Sequence, residues 1–269
     1  MTTLASERNP VARVERRVPP APIPLSRIAA VELRKSMDTR SGFWLLAGIV
    51  ILAVLATTAV LLFAPDDEVT YETFASAIGF PMAVILPMIA ILSVTSEWSQ
   101  RTGLSTFTLV PHRGRIILAK GIVAVGIAVV SMLVAMAVGA LGNIVGPAIA
   151  GVDQVWNADL GDLTNIVIAN TLGLLTGFML GVLIRNSAGA IVAYFVYSLL
   201  LPTVFGVLAA AQEWFRDIQP WVDVSYAQGA LFDGALTQQQ WAQLGVTTLA
   251  WLVLPLAVGV VLMRRSEVK

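Results

Sequence analysis

The chain contains no cysteine, which excludes disulfides, thiolate metal sites and a cysteine nucleophile. It has a single histidine, His112, with no HExxH pattern and no second imidazole to share a metal, so a solvated loop histidine is the expected reading. Charge is also scarce. Only 13% of the 269 residues are Asp, Glu, Lys or Arg, where soluble domains carry roughly 25%. No Gly-Lys dipeptide occurs, so there is no GxxxxGK[ST] phosphate loop, and no two glycines are separated by one residue, so there is no GxGxxG. This chain cannot hydrolyse ATP by the P-loop route. Its long apolar runs hold essentially no ionisable side chain, whereas proton relays and ion-coupled carriers place such groups at mid-membrane. Nor do those runs hold the carboxylate pair or Ser/His arrangement that intramembrane catalysis needs. No catalytic residue, no metal site and no cofactor of its own is expected.

What the chain does have is apolar length. Hydrophobic residues make up 57% of it and its mean hydropathy is +0.80. A soluble α/β core uses apolar runs of about 4–8 residues; here they reach the roughly 20 residues that read as transmembrane helices. The expected fold class is an all-α integral membrane protein with six transmembrane helices, at about 43–63, 74–95, 121–145, 163–184, 188–210 and 244–263. Residues 1–24 are Arg-bearing and proline-rich and are expected to be a disordered cytoplasmic tail, not a signal peptide. Residues 25–41 read as an amphipathic interfacial helix. Ala29, Ala30, Leu33 and Met37 form one stripe, with Arg27, Arg34 and Lys35 on the flank. A plain extension of the first span is the alternative. The six-helix domain covers 42–265, and 266–269 form a second short cytoplasmic tail.

Orientation follows from the distribution of Lys and Arg. With six spans both termini share a side, and of the 17 basic residues only Arg216 falls opposite. Asp66, Asp67, Glu68, Glu72, Asp153, Asp159, Asp162, Glu213, Asp217, Asp223 and Asp233 all lie on that other side. Both termini are therefore expected in the cytoplasm. The spans rest on hydropathy alone, so the charge segregation is an independent check on their number.

The stretch from Glu97 to Lys120 is the only long polar, basic interruption inside the hydrophobic body, and it is expected to be a cytoplasmic loop. Glu97 and Arg101 are four apart with the acid first, the favourable order for a helical pair, and Pro111 should end any helix. A short helix over about 96–107 and a basic re-entry to the membrane are expected. Arg113, Arg115 and Lys120 can be read either as partner contacts or as anchors on lipid phosphates.

Several features together resemble the transmembrane subunit of an ABC-2 type transporter. They are Glu32-Leu33-Arg34-Lys35 before the first span, Ser96-Glu97-Trp98 at the end of the second, and Arg101-Thr102-Gly103 after it. A polar run through Pro111, then Arg113 and Lys120 before the third span, and a long connection before the last span complete the pattern. The resemblance covers about residues 25–265 and lies more in architecture than in any one residue. It implies a permease subunit that pairs with a separately encoded ATPase, which binds the ATP and Mg, and with a second permease subunit in a homodimer or heterodimer. On that resemblance Glu97, Trp98, Arg101, Thr102, Gly103 and Leu104 form the ATPase-coupling contact, and Glu32, Arg34 and Lys35 belong to the interfacial helix. Phe80, Met82, Met88, Phe195 and Phe205 become candidates for a substrate path, with lipid or core packing the alternative for each. Export of a hydrophobic or amphipathic substrate across a bacterial plasma membrane is the implied activity, with membrane lipids as further partners and no nucleic acid. A membrane scaffold or signalling anchor and a stand-alone secondary carrier are the alternatives of other classes.

Two further features are legible. Gly173, Gly177 and Gly181 make a GxxxGxxxG ridge on the fourth span that lets a neighbouring helix approach closely, expected within the subunit. The stretch from about 212 to 243 is too polar to span and carries Trp214, Phe215, Trp221, Tyr226, Phe232 and Trp241. Such aromatics suit short helices at the outer membrane surface, and the resemblance implies a re-entrant external lid there.

Overall fold

A computed structural model describes residues 23–99 and 113–265. Among the described residues every regular element is a helix and there is no strand. Helix α1 (Leu25–Asp38) turns at Thr39, whose hydroxyl accepts from the Gly42 N–H, into α2 (Arg40–Phe63). Then come α3 (Tyr71–Ser99), α4 (Arg113–Ala150), α5 (Leu160–Ile184) and α6 (Ser187–Ala211). Two short helices, α7 (Glu213–Val222) and α8 (Val224–Gly229), precede α9 (Gln238–Met263). Six of these, α2 to α6 and α9, are long and apolar enough to cross a membrane.

The polar interruption is shorter than the sequence implies. Residues 97–99 still belong to α3, and residues 113–120 already form the first two turns of α4. Hydropathy locates the hydrocarbon-length part of a helix, not its ends; Pro111, expected to end a helix, lies outside the described residues. With 38 residues, α4 is about 57 Å long at 1.5 Å per residue, well beyond a hydrocarbon core of roughly 30 Å.

The connections segregate to two ends. At one end the Tyr71 N–H donates to the Val155 carbonyl and the Asn165 amide to the Gly234 carbonyl, which joins the α2–α3, α4–α5 and α6–α9 connections. At the other end Thr95 of α3 meets Ser187 of α6 at 2.7 Å, and α1 lies beside the start of α4. Asp66, Asp67, Glu68, Glu72, Asp153, Asp159 and Asp162 belong to the first end, the acidic end. Arg27, Arg34, Lys35, Arg40, Arg115, Lys120, Arg185 and Arg265 belong to the second, the basic end.

Helix α5 is the axis of the bundle and α6 its periphery: 56% of the membrane-length stretch of α5 is buried, against 6% of that of α6. The glycine ridge explains how α5 gets so close to α3. A Cβ at Gly177 would lie 2.6 Å from the Pro87 carbonyl oxygen, and one at Gly181 3.4 Å from the Ile91 Cα. Within this one chain the ridge is filled by α3. Around it Met82, Leu86, Ala90, Val94, Leu174, Phe178 and Val182 build the main core.

Prolines lie inside α3, α4, α6 and α9, and at three of them the structure shows how the lost hydrogen bond is relieved. Pro87 has no N–H to give the Ala83 carbonyl; the Tyr194 hydroxyl donates to that carbonyl instead, at 2.7 Å, and ties α6 to α3. In α6 and α9 the five-residue π-helical turns Val196–Leu200 and Leu249–Val253 come just before Pro202 and Pro255. There Leu201 N–H reaches back to the Val196 carbonyl and Leu254 N–H to the Leu249 carbonyl. Widening the turn takes the preceding carbonyls clear of the proline ring. The two π turns face each other through the rings of Tyr197 and Trp251, 5.9 Å apart.

Candidate functional site

The candidate site lies at the basic end, where α1, the end of α3 and the start of α4 meet. Helix α1 is amphipathic, but its buried face is not the apolar stripe. Ile28 and Glu32 point inward, while Val31, Leu33 and Met37 are exposed. Spacing explains the pairing, since Ile28 and Glu32 are four apart and share one face, with Leu25 and Ser36 half-buried beside them. An interfacial helix that keeps its apolar residues outward can rest them on lipid while its inner face docks on the bundle.

What Glu32 meets there is Lys120. The Lys120 ammonium lies 2.5 Å from Glu32 Oε2 and both side chains are 6% exposed. The same ammonium donates to the Ser93 carbonyl near the end of α3 at 3.0 Å. Lys35, one turn along α1, donates to Glu32 Oε1 at 2.7 Å. Three helices thus meet at the Lys120 ammonium, and the Glu32 carboxylate uses both of its oxygens. Burial raises the Glu32 carboxyl pKa, but Lys120 and then Lys35 outweigh it and hold the group below its ordinary value. The carboxylate is the form this site keeps. Losing one partner of such a buried pair is costly, though Lys35 would remain beside the carboxylate and the Ser93 carbonyl beside the ammonium.

This corrects one expectation. Lys120 is neither a lipid-phosphate anchor nor part of a loop; it is a buried lysine in the second turn of α4, with a carboxylate and a carbonyl as partners. The signal in the sequence is its surroundings. Ile116, Ile117, Leu118 and Ala119 precede it and Ile122 and Val123 follow, a context in which a lysine needs a counter-charge.

The other candidate residues fall in different places across the molecule. Glu97 and Trp98 are in the last turns of α3, with side chains beyond what the structure describes, and Arg101, Thr102, Gly103 and Leu104 lie outside the described residues. The helix expected over 96–107 is therefore described only in its first four residues, which continue α3. Arg34 is exposed on α1. The five substrate-path candidates do not share one cavity. Met82 is fully buried in the main core, and Phe80 is 80% exposed on the outside of α3. Two residues apart on a helix, they face different ways. Met88 packs against the cluster of Ile91, Ala190 and Tyr194. Phe195 is exposed on α6, and Phe205 stacks on Phe215 of α7 and Trp251 of α9, at 5.7 and 6.2 Å. Gly173 and Gly177 face Pro87, and Gly181 faces Ile91 and Val94.

Among the described residues no group of three or more His, Cys, Asp or Glu side chains could hold a metal ion. The arrangement at the basic end fastens α1 to the two helix ends that border residues 100–112. In class, this is an all-helical, multi-pass membrane protein. No family model matches the chain, and no curated protein compared with it is similar.

Proposed function

We propose that the chain is the permease subunit of an ABC-2 type transporter, worked by a separate cytoplasmic ATPase and paired with a second permease subunit. The observation that carries this reading is the three-helix junction at Glu32 and Lys120. It clamps α1 to the end of α3 and the start of α4, the two helices that border the polar segment from Glu97 onward. A force applied to that segment would pass into α3, and through the close Gly177–Pro87 contact into α5 at the centre of the bundle. The basic end is the cytoplasmic one on the distribution of Lys and Arg, so the segment is where a soluble partner can reach it. Glu97, Trp98, Arg101, Thr102, Gly103 and Leu104 are the proposed contact. The cargo is a hydrophobic or amphipathic molecule exported across a bacterial plasma membrane, and the short helices α7 and α8 cap the outer side of its path.

Co-expression with a candidate ATPase tests the reading. A stable complex is expected, whose ATPase activity falls severalfold on Glu97→Ala or Arg101→Ala while the complex still assembles through its remaining contacts. Transport by the purified chain in liposomes without any ATPase, or failure to bind one, would overturn it.

A further inference from the structure

Far from the basic end, between α7, α8 and the start of α9, there is a cavity of about 340 Å³. Pro220, Tyr226, Thr237, Gln239, Gln240 and Gln243 are among the residues around it. No Asp, Glu, Lys or Arg is among its lining residues, although this end of the molecule is rich in carboxylates. Asp223, three positions before Tyr226, is engaged elsewhere. Its carboxylate accepts from the Gln219 amide and from the Ser225 and Tyr226 N–H groups. The cavity is thus uncharged, with a few polar side chains set in a mostly apolar lining.

Its most informative group is Gln243. The residue is 7% exposed and borders the cavity, yet its side-chain amide makes no hydrogen bond with any described residue; only its backbone carbonyl is used, by Thr247. Its amide therefore faces the cavity, where a ligand or water can complete it. Gln239 and the Tyr226 hydroxyl likewise make no hydrogen bond among the described residues, whereas Gln240 Oε1 is engaged in the cap of α9 with Thr237. An amide offers a donor and an acceptor side by side, which matches two neighbouring hydroxyls on one ligand. The Tyr226 ring and the Pro220 ring supply the apolar surface that the C–H face of such a ligand needs. The volume is at the small end of ligand sites, roughly 300–1,000 Å³, so the ligand is small. An ionised ligand would find no counter-charge in the lining.

We propose that this cavity is a binding site for a small, uncharged, polyhydroxylated molecule, the chemistry of a neutral sugar, with Gln243 as its main hydrogen-bonding contact. The site stands whether or not the chain partners an ATPase, since none of its residues belongs to the basic end. The test uses the full chain in nanodiscs and saturation-transfer NMR with glucose, and with glucuronate as the charged counterpart of the same ring. Glucose is expected to give a signal and glucuronate to give a much weaker one. Gln243→Leu keeps the volume and should lower glucose affinity about tenfold or more, as loss of a buried hydrogen-bonding contact does. Tyr226→Ala, at an exposed position where folding is not at stake, should weaken the same signal severalfold. No glucose signal from the wild type, equal signals from glucose and glucuronate, or a glucose signal unchanged in both variants would each overturn the proposal.

Discussion

At the basic end a lysine and a glutamate 88 residues apart meet in a dry contact. At the acidic end, whose ionisable side chains are nearly all carboxylates, no salt bridge is found among the described residues. Its segments are joined by amides and backbone instead. Asn143 donates to the Val155 carbonyl, Asn157 bonds the Glu72 N–H and carboxylate, and Asn165 donates to the Gly234 carbonyl. Its helices start on their own caps, Asp159 with Asp162 and Thr237 with Gln240. The difference is one of response. A neutral network gives way by one hydrogen bond at a time, each worth about 1 kcal/mol. A desolvated ion pair fails as a unit, because either partner alone is a buried charge. Such a contact suits a junction meant to hold one arrangement until pushed, and the other suits a cap that adapts to what lies beneath it.

Removing one partner of the pair breaks the comparison most severely. Lys120→Met leaves the buried carboxylate with Lys35 alone, so it should cost about 2–4 kcal/mol, somewhat under the penalty for stranding a buried charge outright, seen as a lower unfolding midpoint and faster proteolysis within α1. The double variant Glu32→Gln with Lys120→Met should recover most of that loss, since the stranded charge is gone. A Lys120→Met protein as stable as the wild type would show that Glu32 is not desolvated, and the contrast between the ends would fail.

At the acidic end the corresponding change is Asp223→Ala. Asp223 is the most fully bonded carboxylate there, 3% exposed, with three donors. Its loss should cost about 1.5–3 kcal/mol, the range for hydrogen bonds to a charged group. It should be local: hydrogen exchange should quicken in α8 and at Trp251, whose indole N–H donates to the Val222 carbonyl at 2.7 Å, and not in α1. Faster exchange in α1 would mean that the two ends are coupled more tightly than their separate chemistries imply.

How much of this can be read from residues alone differs between the two ends. The six membrane-length helices are legible because each is a continuous apolar run, and the partition into a basic and an acidic end follows from charge. The junction is not. Glu32 sits among Arg27, Arg34 and Lys35 and looks like part of a solvated flank, and nothing local ties it to a residue near the third span. The apolar stripe of α1 is plain in the sequence, but which face is buried depends on Lys120, not on hydropathy. The π turns stay hidden because a proline in a span announces a kink without saying how it is relieved. Gln243 does not stand out since Gln238, Gln239 and Gln240 before it read as a polar helix start, and only packing shows that one of the four is enclosed.

The mildest probe is pH, and it acts on one end. Folding lowers the Glu32 carboxyl below its ordinary value of 4.5, so the native state binds that proton less readily than the unfolded chain. The contribution of the pair is then complete above the ordinary value and is lost as pH falls through the lowered native one. The loss should be smaller than in Lys120→Met, because a protonated Glu32 leaves Lys120 its bond to the Ser93 carbonyl. Unfolding midpoints measured from pH 7 downward should stay level until the ordinary glutamate value is approached and then fall, with α1 exposed to protease first. In Glu32→Gln this particular acid step should be absent. A wild-type midpoint that rises as pH drops towards the ordinary value would mean that burial outweighs Lys120 and Lys35, and that the junction holds a neutral acid instead of a charge.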